Sequence, residues 1–319
     1  MLDYKKTGTF LASKRKQAQM TQADVAQKLG VSFQSVSKWE NGTLPFPEIP
    51  HPVLVLKSEE PGSKQKLAME YGYSESICHD MINHLVNDIM VMGARPLAVL
   101  DTIVCGSAEK ETIKSFIKDI SDACRENGCS LVGGETSIQP QVVEKGVYVL
   151  TSSIAGILSK DKVIDGSGIT EGDTVLAVAS NGLHTNGYSL VRMLMDQMPQ
   201  IKLEKIDGET FIEQIMKPHT TYRNAIRNLL ECPGIHGMAH ITGGGIQGNL
   251  CRILPDGLYA DIDLSKIKTL PIFRYIQRIG NIDEAEMLST FNCCRSDCCG
   301  FGALCRAGDS EHRKISRLL

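Results

Sequence analysis

From residue 9 to residue 40 apolar side chains recur at helical spacing, with Phe10 and Leu11 followed by Val25, Ala26 and Leu29. Two short helices are expected there. Thr21 suits the N-cap of a helix that ends at Gly30, and a second helix begins near Ser32. Four prolines from Pro45 to Pro52 then forbid a continuous helix, so residues 45–51 read as a linker. Beyond it the pattern alternates. "PVLVL" is a strand, a helix follows from about Ser76 to Met92, then the strand "LAVLDTIVC", a helix from about Lys110 to Asn127, and the strands "CSLVGGE" and "GVYVLTSSIAGIL". Strands so continuously apolar are the kind that helices bury, which makes this part α/β. A second set starts at "GDTVLAVAS" and includes the helix "GYSLVRMLMDQ" and the strands "GMAHI" and "GLYADIDL".

The chain divides accordingly into residues 1–44, the linker, 52–158, 170–292 and a tail, 293–319. With 319 residues there is material for two or three cores. No apolar run approaches the roughly 20 residues that span a bilayer, and the first ten residues lack the apolar stretch of a secretory signal, so a cytoplasmic protein with no membrane partner is expected. A net charge of −3 argues against a chain that coats nucleic acid along its length. Residues 1–44, however, carry seven Lys/Arg against three acids. In the stretch "TQADVAQKLGVSFQSVSKWE" (21–40) the second helix carries Gln34, Ser35, Ser37 and Lys38, polar side chains able to reach base edges or phosphates of double-stranded DNA. This segment resembles the helix-turn-helix of Cro and CI type repressors, cut short by the prolines.

Six cysteines are scattered through the first 292 residues and read as reduced thiols. Five more crowd the tail. Cys293, Cys294, Cys298 and Cys299, with Cys305 or His312, could be offered to a metal, but adjacent Cys-Cys pairs do not match zinc-knuckle spacing, so a poorly ordered tail is the plainer expectation.

Chemistry concentrates elsewhere. In "SICHDMINHLVNDIMVMG", Asp80, His84 and Asp88 stand at i, i+4 and i+8 with Asn87 beside them, while Met81, Ile82, Leu85 and Ile89 face the core. Such a face is either solvated or a site for Mg²⁺. Asp101, inside an apolar strand, favours a site, because carboxylates are seldom buried without a partner. "LVGGETS" ends a strand in two glycines followed by Glu135 and Thr136. "NGLHTNGYSL" sets His184 and Asn186 in a loop that starts a helix, and "MAHITGGGIQGNL" puts Thr242, Gly243, Gly244 and Gly245 between a strand and a helix bearing Asn249. Glycine-rich loops of this kind cradle phosphate. Together these residues point to metal-assisted phosphoryl chemistry, and the residues alone go no further.

The segments "VNDIMVMGARPLAVLD", "LVGGET", "GLHTNGYSLVR", "MAHITGGGIQGNLCRILPDG" and "GNIDEAEMLSTFNC" resemble, in order along residues 52–293, the aminoimidazole ribonucleotide synthetase (phosphoribosylformylglycinamidine cyclo-ligase) family. The resemblance implies a two-domain α/β fold of mixed sheets packed with helices, here preceded by the small all-α helix-turn-helix. It also implies ATP-dependent ring closure of formylglycinamidine ribonucleotide with Mg²⁺, in a homodimer formed through the first domain. Asp88, Glu135 and His184 would be catalytic, with Asp88 and Asp101 on the metal. Glu59, Lys64, Asn87, Asp101, Thr136, Asn186, Thr242, Gly243, Gly244 and Gly245 would bind ATP or substrate.

The chain departs from the family's pattern in three places. The helix-turn-helix stands where a glycine-rich nucleotide segment is expected, and the acid-Gly-x-Gly-Thr-Lys loop appears as "SEEPGSK", with Glu60 replacing a glycine beside a phosphate. After Cys293 the resemblance stops abruptly, as a shifted reading frame would make it. The alternative to an enzyme is therefore a DNA-binding transcriptional regulator that uses the synthetase-like body as a ligand sensor.

Overall fold

The computed structural model describes residues 4–29, 32–42, 49, 51–231, 234–263, 269–291, 301–306 and 315–317. Gly30, the linker prolines Pro45, Pro47 and Pro50, and the tail residues Cys293, Cys294, Cys298, Cys299 and His312 lie outside them. The chain forms two compact units, Met1–Pro52 and Val53–Leu319. No helix among the described residues is long and apolar enough to cross a membrane.

The first unit has three helices rather than two: α1 (Tyr4–Gln17), α2 (Gln22–Leu29) and α3 (Phe33–Glu40). Reciprocal bonds between Thr21 and Asp24 start α2, since Asp24 N–H donates to Thr21 Oγ1 at 3.1 Å and Thr21 N–H to Asp24 Oδ2 at 2.7 Å. Ser32 caps α3 by accepting from Ser35 N–H at 3.2 Å. The expected apolar face is used only in part, through Ala26 and the half-buried Val25. Phe10, Leu11 and Leu29 are exposed, whereas Ala26 and Val36 are buried. The reason is close approach. Gly8 of α1 sits against the Trp39 and Glu40 carbonyls, where a Cβ would collide, so small residues make the contact and larger ones are turned out. Polar ties complete it, with Arg15 forking onto both Glu40 oxygens at 2.5 and 2.8 Å and Gln22 donating to Glu40 at 2.8 Å.

The second unit begins with a four-stranded sheet of β1 (Pro52–Glu59), β2 (Arg95–Cys105), β3 (Ser130–Ile138) and β4 (Tyr148–Ser159), in the order β1-β4-β2-β3. β2 runs parallel to β3 and antiparallel to β4. After β1 come α4 (Lys64–Tyr71) and α5 (Ser74–Met90), and α6 (Lys110–Glu126) follows β2. Helices α5 and α6 cover one face of the sheet. Met81, Ile82, Leu85 and Ile89 of α5 are fully buried, each worth about 1.5–3 kcal/mol in surface removed from water. The strands' alternation leaves the other face apolar and open, with Leu54, Leu56 and Leu100 at 64, 73 and 53% exposure.

The remainder carries β5 (Thr174–Val178), α7 (Tyr188–Gln197), the short hairpin β6 (Lys205–Ile206) and β7 (Glu209–Thr210), α8 (Phe211–Ile215), α9 (Arg223–Leu229), β8 (Ile235–Gly237), α10 (Gly245–Leu250), β9 (Leu258–Ala260), α11 (Pro271–Gly280), α12 (Glu284–Thr290), β10 (Phe301–Arg306) and β11 (Ile315–Arg317). Two findings differ from expectation. The tail is not without structure, because β10 is the middle strand of the sheet β5-β10-β8 and β11 pairs with β9. The strand expected over "GMAHI" stops at Gly237, and the segment that follows carries His240 to partners on α5. Cys78, Cys105, Cys124, Cys129 and Cys251 are free thiols, and of these five Cys251 is exposed.

Candidate active site

Strand β1 alternates, so Lys57 and Glu59 share the face that α5 covers, while Leu54 and Leu56 point away from it. Across from them α5 presents His84 and Asp88, one helical turn apart. Asn186 from the loop before α7, and His240, Thr242 and Gly243 from the segment after β8, close a cleft of about 510 Å³ between the two halves of the second unit. Asp88 is its centre. Its Oδ2 lies 2.9 Å from Lys57 Nζ, which lies 3.1 Å from Glu59, and its Oδ1 lies 2.6 Å from His240 Nδ1. Burial by itself would raise the Asp88 carboxyl, but the His240 hydrogen bond and the neighbouring imidazoles and Lys57 hold it well below the usual carboxylate range.

Behind Asp88 four buried histidines pack ring on ring. His184 stacks on His219 at 3.9 Å between centroids, and His84, His219 and His240 meet one another at 5.1–5.2 Å. His219 Nε2 is 3.0 Å from His240 Nε2. Burial, reinforced by His240, pushes His84 down to about 4. Burial and the same neighbours push His184 and His219 well below 6.5. The cluster is therefore neutral at pH 7 in those three rings and can accept or relay protons. His184 also adopts φ 57°, a left-handed backbone unusual outside glycine.

The rest of the polar face of α5 has a different task. It grips residues 216–222 of the other half. Asp80 accepts from His219 N–H at 2.5 Å, Asn83 donates to the His219 carbonyl at 2.7 Å, and Asn87 both donates to the Thr220 carbonyl at 2.9 Å and accepts from Tyr222 N–H at 3.0 Å. Lys64, wholly buried, pairs with Asp80 at 2.8 Å and donates to the Lys217 carbonyl at 2.8 Å. Burial drives the Asp80 carboxyl up and the Lys64 ammonium down, against their mutual attraction.

Of the residues singled out from sequence, Glu59, Asp88, Asn186, Thr242 and Gly243 line this cleft together. Lys64 and Asn87 lie in the polar grip behind it, and His184 lies beneath it in the histidine cluster. Gly244 and Gly245 continue the loop that Asn249 fastens, its Nδ2 donating to the Gly243 and Gly245 carbonyls at 3.2 and 2.8 Å. Asp101, Glu135 and Thr136 line a second cleft of about 360 Å³. There Asp101 pairs in register with Gly134, whose missing Cβ leaves room for the Asp101 carboxylate. In the first unit Gln34 and Lys38 are exposed, whereas Ser35 and Ser37 are half-buried and Ser35 is engaged in the α3 cap. Sequence reasoning missed Lys57, His219 and His240. The parity of "VLVLKSE" signals the first and the position of His240 before three glycines signals the last. Nothing local marks His219.

Residues 54–158 and 170–299 match the N-terminal and C-terminal domain models described as "AIR synthase related protein", and residues 11–47 match a helix-turn-helix model. A phosphoribosylformylglycinamidine cyclo-ligase of Methylobacillus flagellatus is 43% identical over 244 residues, covering 76% of this chain and 70% of that one. One from Bacillus cereus is 39% identical over 271 residues, covering 84% and 77%. Among solved structures, the thiamine monophosphate kinase of Aquifex aeolicus superposes with a TM-score of 0.59 at 16% identity, covering 92% of this chain and 91% of the kinase. A hydrogenase maturation protein bound to ATP superposes at 0.55 and 15% identity, covering 86% and 78%. At such identities the likeness speaks for the fold alone. The cyclo-ligase relatives, alike over most of both chains, decide the matter, and with both halves of the fold matched in order behind a helix-turn-helix, the chain belongs to the phosphoribosylformylglycinamidine cyclo-ligase (AIR synthase) family.

Proposed function

We propose that the second unit closes the imidazole ring of formylglycinamidine ribonucleotide at the expense of ATP, in the cytoplasm. The observation that carries this reading is the meeting of Lys57, Glu59 and Asp88 in the cleft between the two halves. In the reaction the γ-phosphoryl group passes to the formyl amide oxygen, an amidine nitrogen attacks the same carbon, and phosphate leaves with that oxygen. Glu59 and Asp88 fit a magnesium ion, because they already bracket a cation, the Lys57 ammonium, at 3.1 and 2.9 Å with hard oxygen donors. Magnesium, when bound, neutralises phosphate charge during transfer. With an ion held by Glu59 and Asp88, Lys57 would be available to the nucleotide phosphates. Asn186 lines the same cleft, and its Nδ2 has no hydrogen-bond partner among the described residues, which leaves a donor to orient substrate. Asp101, Glu135 and Thr136 are assigned to nucleotide or metal binding by the family resemblance alone. The test is ADP release by purified protein given ATP, Mg²⁺ and formylglycinamidine ribonucleotide. Turnover no greater than that of Asp88→Ala rejects the reading.

The open sheet face suits a homodimer. Leu54, Leu56 and Leu100 form an apolar stripe that a second copy would cover. Leu56→Glu is expected to shift sedimentation from dimer to monomer, and a monomeric unmutated protein would dispose of the idea.

For the first unit we propose binding of double-stranded DNA through α3, supported by the helix-turn-helix match and the exposed Gln34 and Lys38. Gel shifts on genomic fragments should weaken with salt, and Lys38→Ala should reduce the slope of log K against log[salt] by about 1. Binding indifferent to both speaks against it.

A further inference from the structure

One corner of the cleft is rich in nitrogen rather than oxygen. Among the described residues, His84, Asp88 and His240 each offer a ligand atom, and these atoms lie within 4.8 Å of one another. Magnesium makes little use of imidazole, whereas two histidines and one carboxylate are a donor set for zinc and its first-row neighbours. We infer that His84, Asp88 and His240 bind a transition cation of the zinc class at the floor of the cleft. The inference goes beyond the cyclo-ligase reading but shares Asp88 and Lys57 with it, placing an ion of a different class on the imidazole side of the same carboxylate.

Three observations support the assignment. The spacing is near that of a tetrahedral site, in which donors about 2.0–2.2 Å from the ion lie roughly 3.3 Å apart. His84 Nε2 is 3.5 Å from Asp88 Oδ2 and His240 Nδ1 is 2.6 Å from Asp88 Oδ1, so the two imidazoles flank the carboxylate, and they would close around an ion from a separation of at most 4.8 Å. The outer shell is also present. The second nitrogen of His240 meets His219 Nε2 at 3.0 Å, and His219 is held by stacking on His184 and by its own N–H on Asp80. A ligand histidine oriented in this way through its other nitrogen is the usual arrangement at metal centres. His219 can donate or accept, so the His240 ring can carry its proton on the nitrogen that faces away from the ion. Finally, the carboxylate already attracts a cation, since Lys57 sits 2.9 Å from Asp88 on the cleft side. The ion would replace that ammonium and leave its fourth position open to water or a phosphate oxygen.

The test uses the full chain, stripped with chelator and free of nucleotide, titrated with Co²⁺ and read by visible absorption. One equivalent of Co²⁺ with the ligand-field bands of a four- or five-coordinate nitrogen and oxygen site is expected. His84→Ala and His240→Ala should abolish these bands, and His219→Ala should weaken affinity about 10–100-fold while His219→Gln restores part of it. A thiolate-to-cobalt charge-transfer band that survives in the histidine variants would assign the ion to cysteines and overturn the inference. Because buried variants can fail to fold, a second measurement needs none. X-ray absorption at the zinc edge of the loaded unmutated protein should show two imidazoles and no sulfur, and sulfur or purely oxygen scattering refutes the site. Loss of ADP formation with this signature intact bears on the cyclo-ligase reading alone.

Discussion

The polar face of α5 does two unlike things. Asp80, Asn83 and Asn87 are buried and hold backbone groups of residues 219–222, with Lys64 on the second oxygen of Asp80 and Asn127 donating to Asn83. His84 and Asp88, interleaved with them on the same helix, open on the cleft and meet side chains instead. The first set is architecture, fixing one half of the unit against the other, and the second is chemistry. Periodicity of i, i+4 and i+8 places these side chains on one side of a helix but is silent about what that side meets.

The contrast is broken most forcefully at Lys64. Lys64→Met leaves the Asp80 carboxylate buried without its cation, and removing one partner of a fully buried pair costs about 3–5 kcal/mol. Denaturant unfolding should show that loss. Asp88→Ala should instead eliminate ADP release while keeping cooperative unfolding. If Lys64→Met unfolds as the unmutated protein does, the polar grip is not architecture.

How far sequence carried the reading follows from the same residues. The core face of α5, the strands around it and the family were legible, because apolar periodicity is local and the motifs stand in order along the chain. The convergence of Asp88 with Lys57, Glu59, His219 and His240 was not, since it depends on how β1, α5 and the segments around 219 and 240 are brought together across up to 152 residues. Asp101 shows the converse. It is close to Asp88 in sequence, and it lines a separate cleft with Glu135 and Thr136, because it stands on β2 and not on the helix. In the first unit the pattern placed Val25 and Ala26 but not Phe10, Leu11 or Leu29, for a close contact made through Gly8 leaves no hydrophobic signature.

Asn87 offers a finer division, since its neighbour in sequence is Asp88. Asn87→Ala orphans the Tyr222 N–H and the Thr220 carbonyl, each buried donor or acceptor costing about 1–3 kcal/mol when left unpaired. A loss in that range on urea unfolding, with the KM for ATP unchanged, would assign Asn87 to the grip. A raised KM with undiminished stability would move it to the site, as the resemblance to cyclo-ligases implies.

A last division separates the two sets by pH. His84, His184 and His219 have folded-state values below the ordinary 6.5, burial being the first cause in each. Their neutral forms are therefore what the fold favours, and the unfolded chain takes up protons first as pH falls. Stability is fully present above about 6.5 and is lost on acidification, for His84 until about 4, at roughly 1.4 kcal/mol per pH unit for each such histidine. Asp88 is shifted down as well, but a depressed carboxylate loses its contribution only below the ordinary 3.8. Burial pushes the Asp80 and Asp101 carboxyls up toward this interval with the opposite sign, so the histidine variants are what assign the decline to the imidazoles. Urea unfolding of chelator-treated protein across that interval should show the decline, and His184→Gln should lessen its slope by one histidine's share. A flat profile would mean that these rings reach water before the chain unfolds.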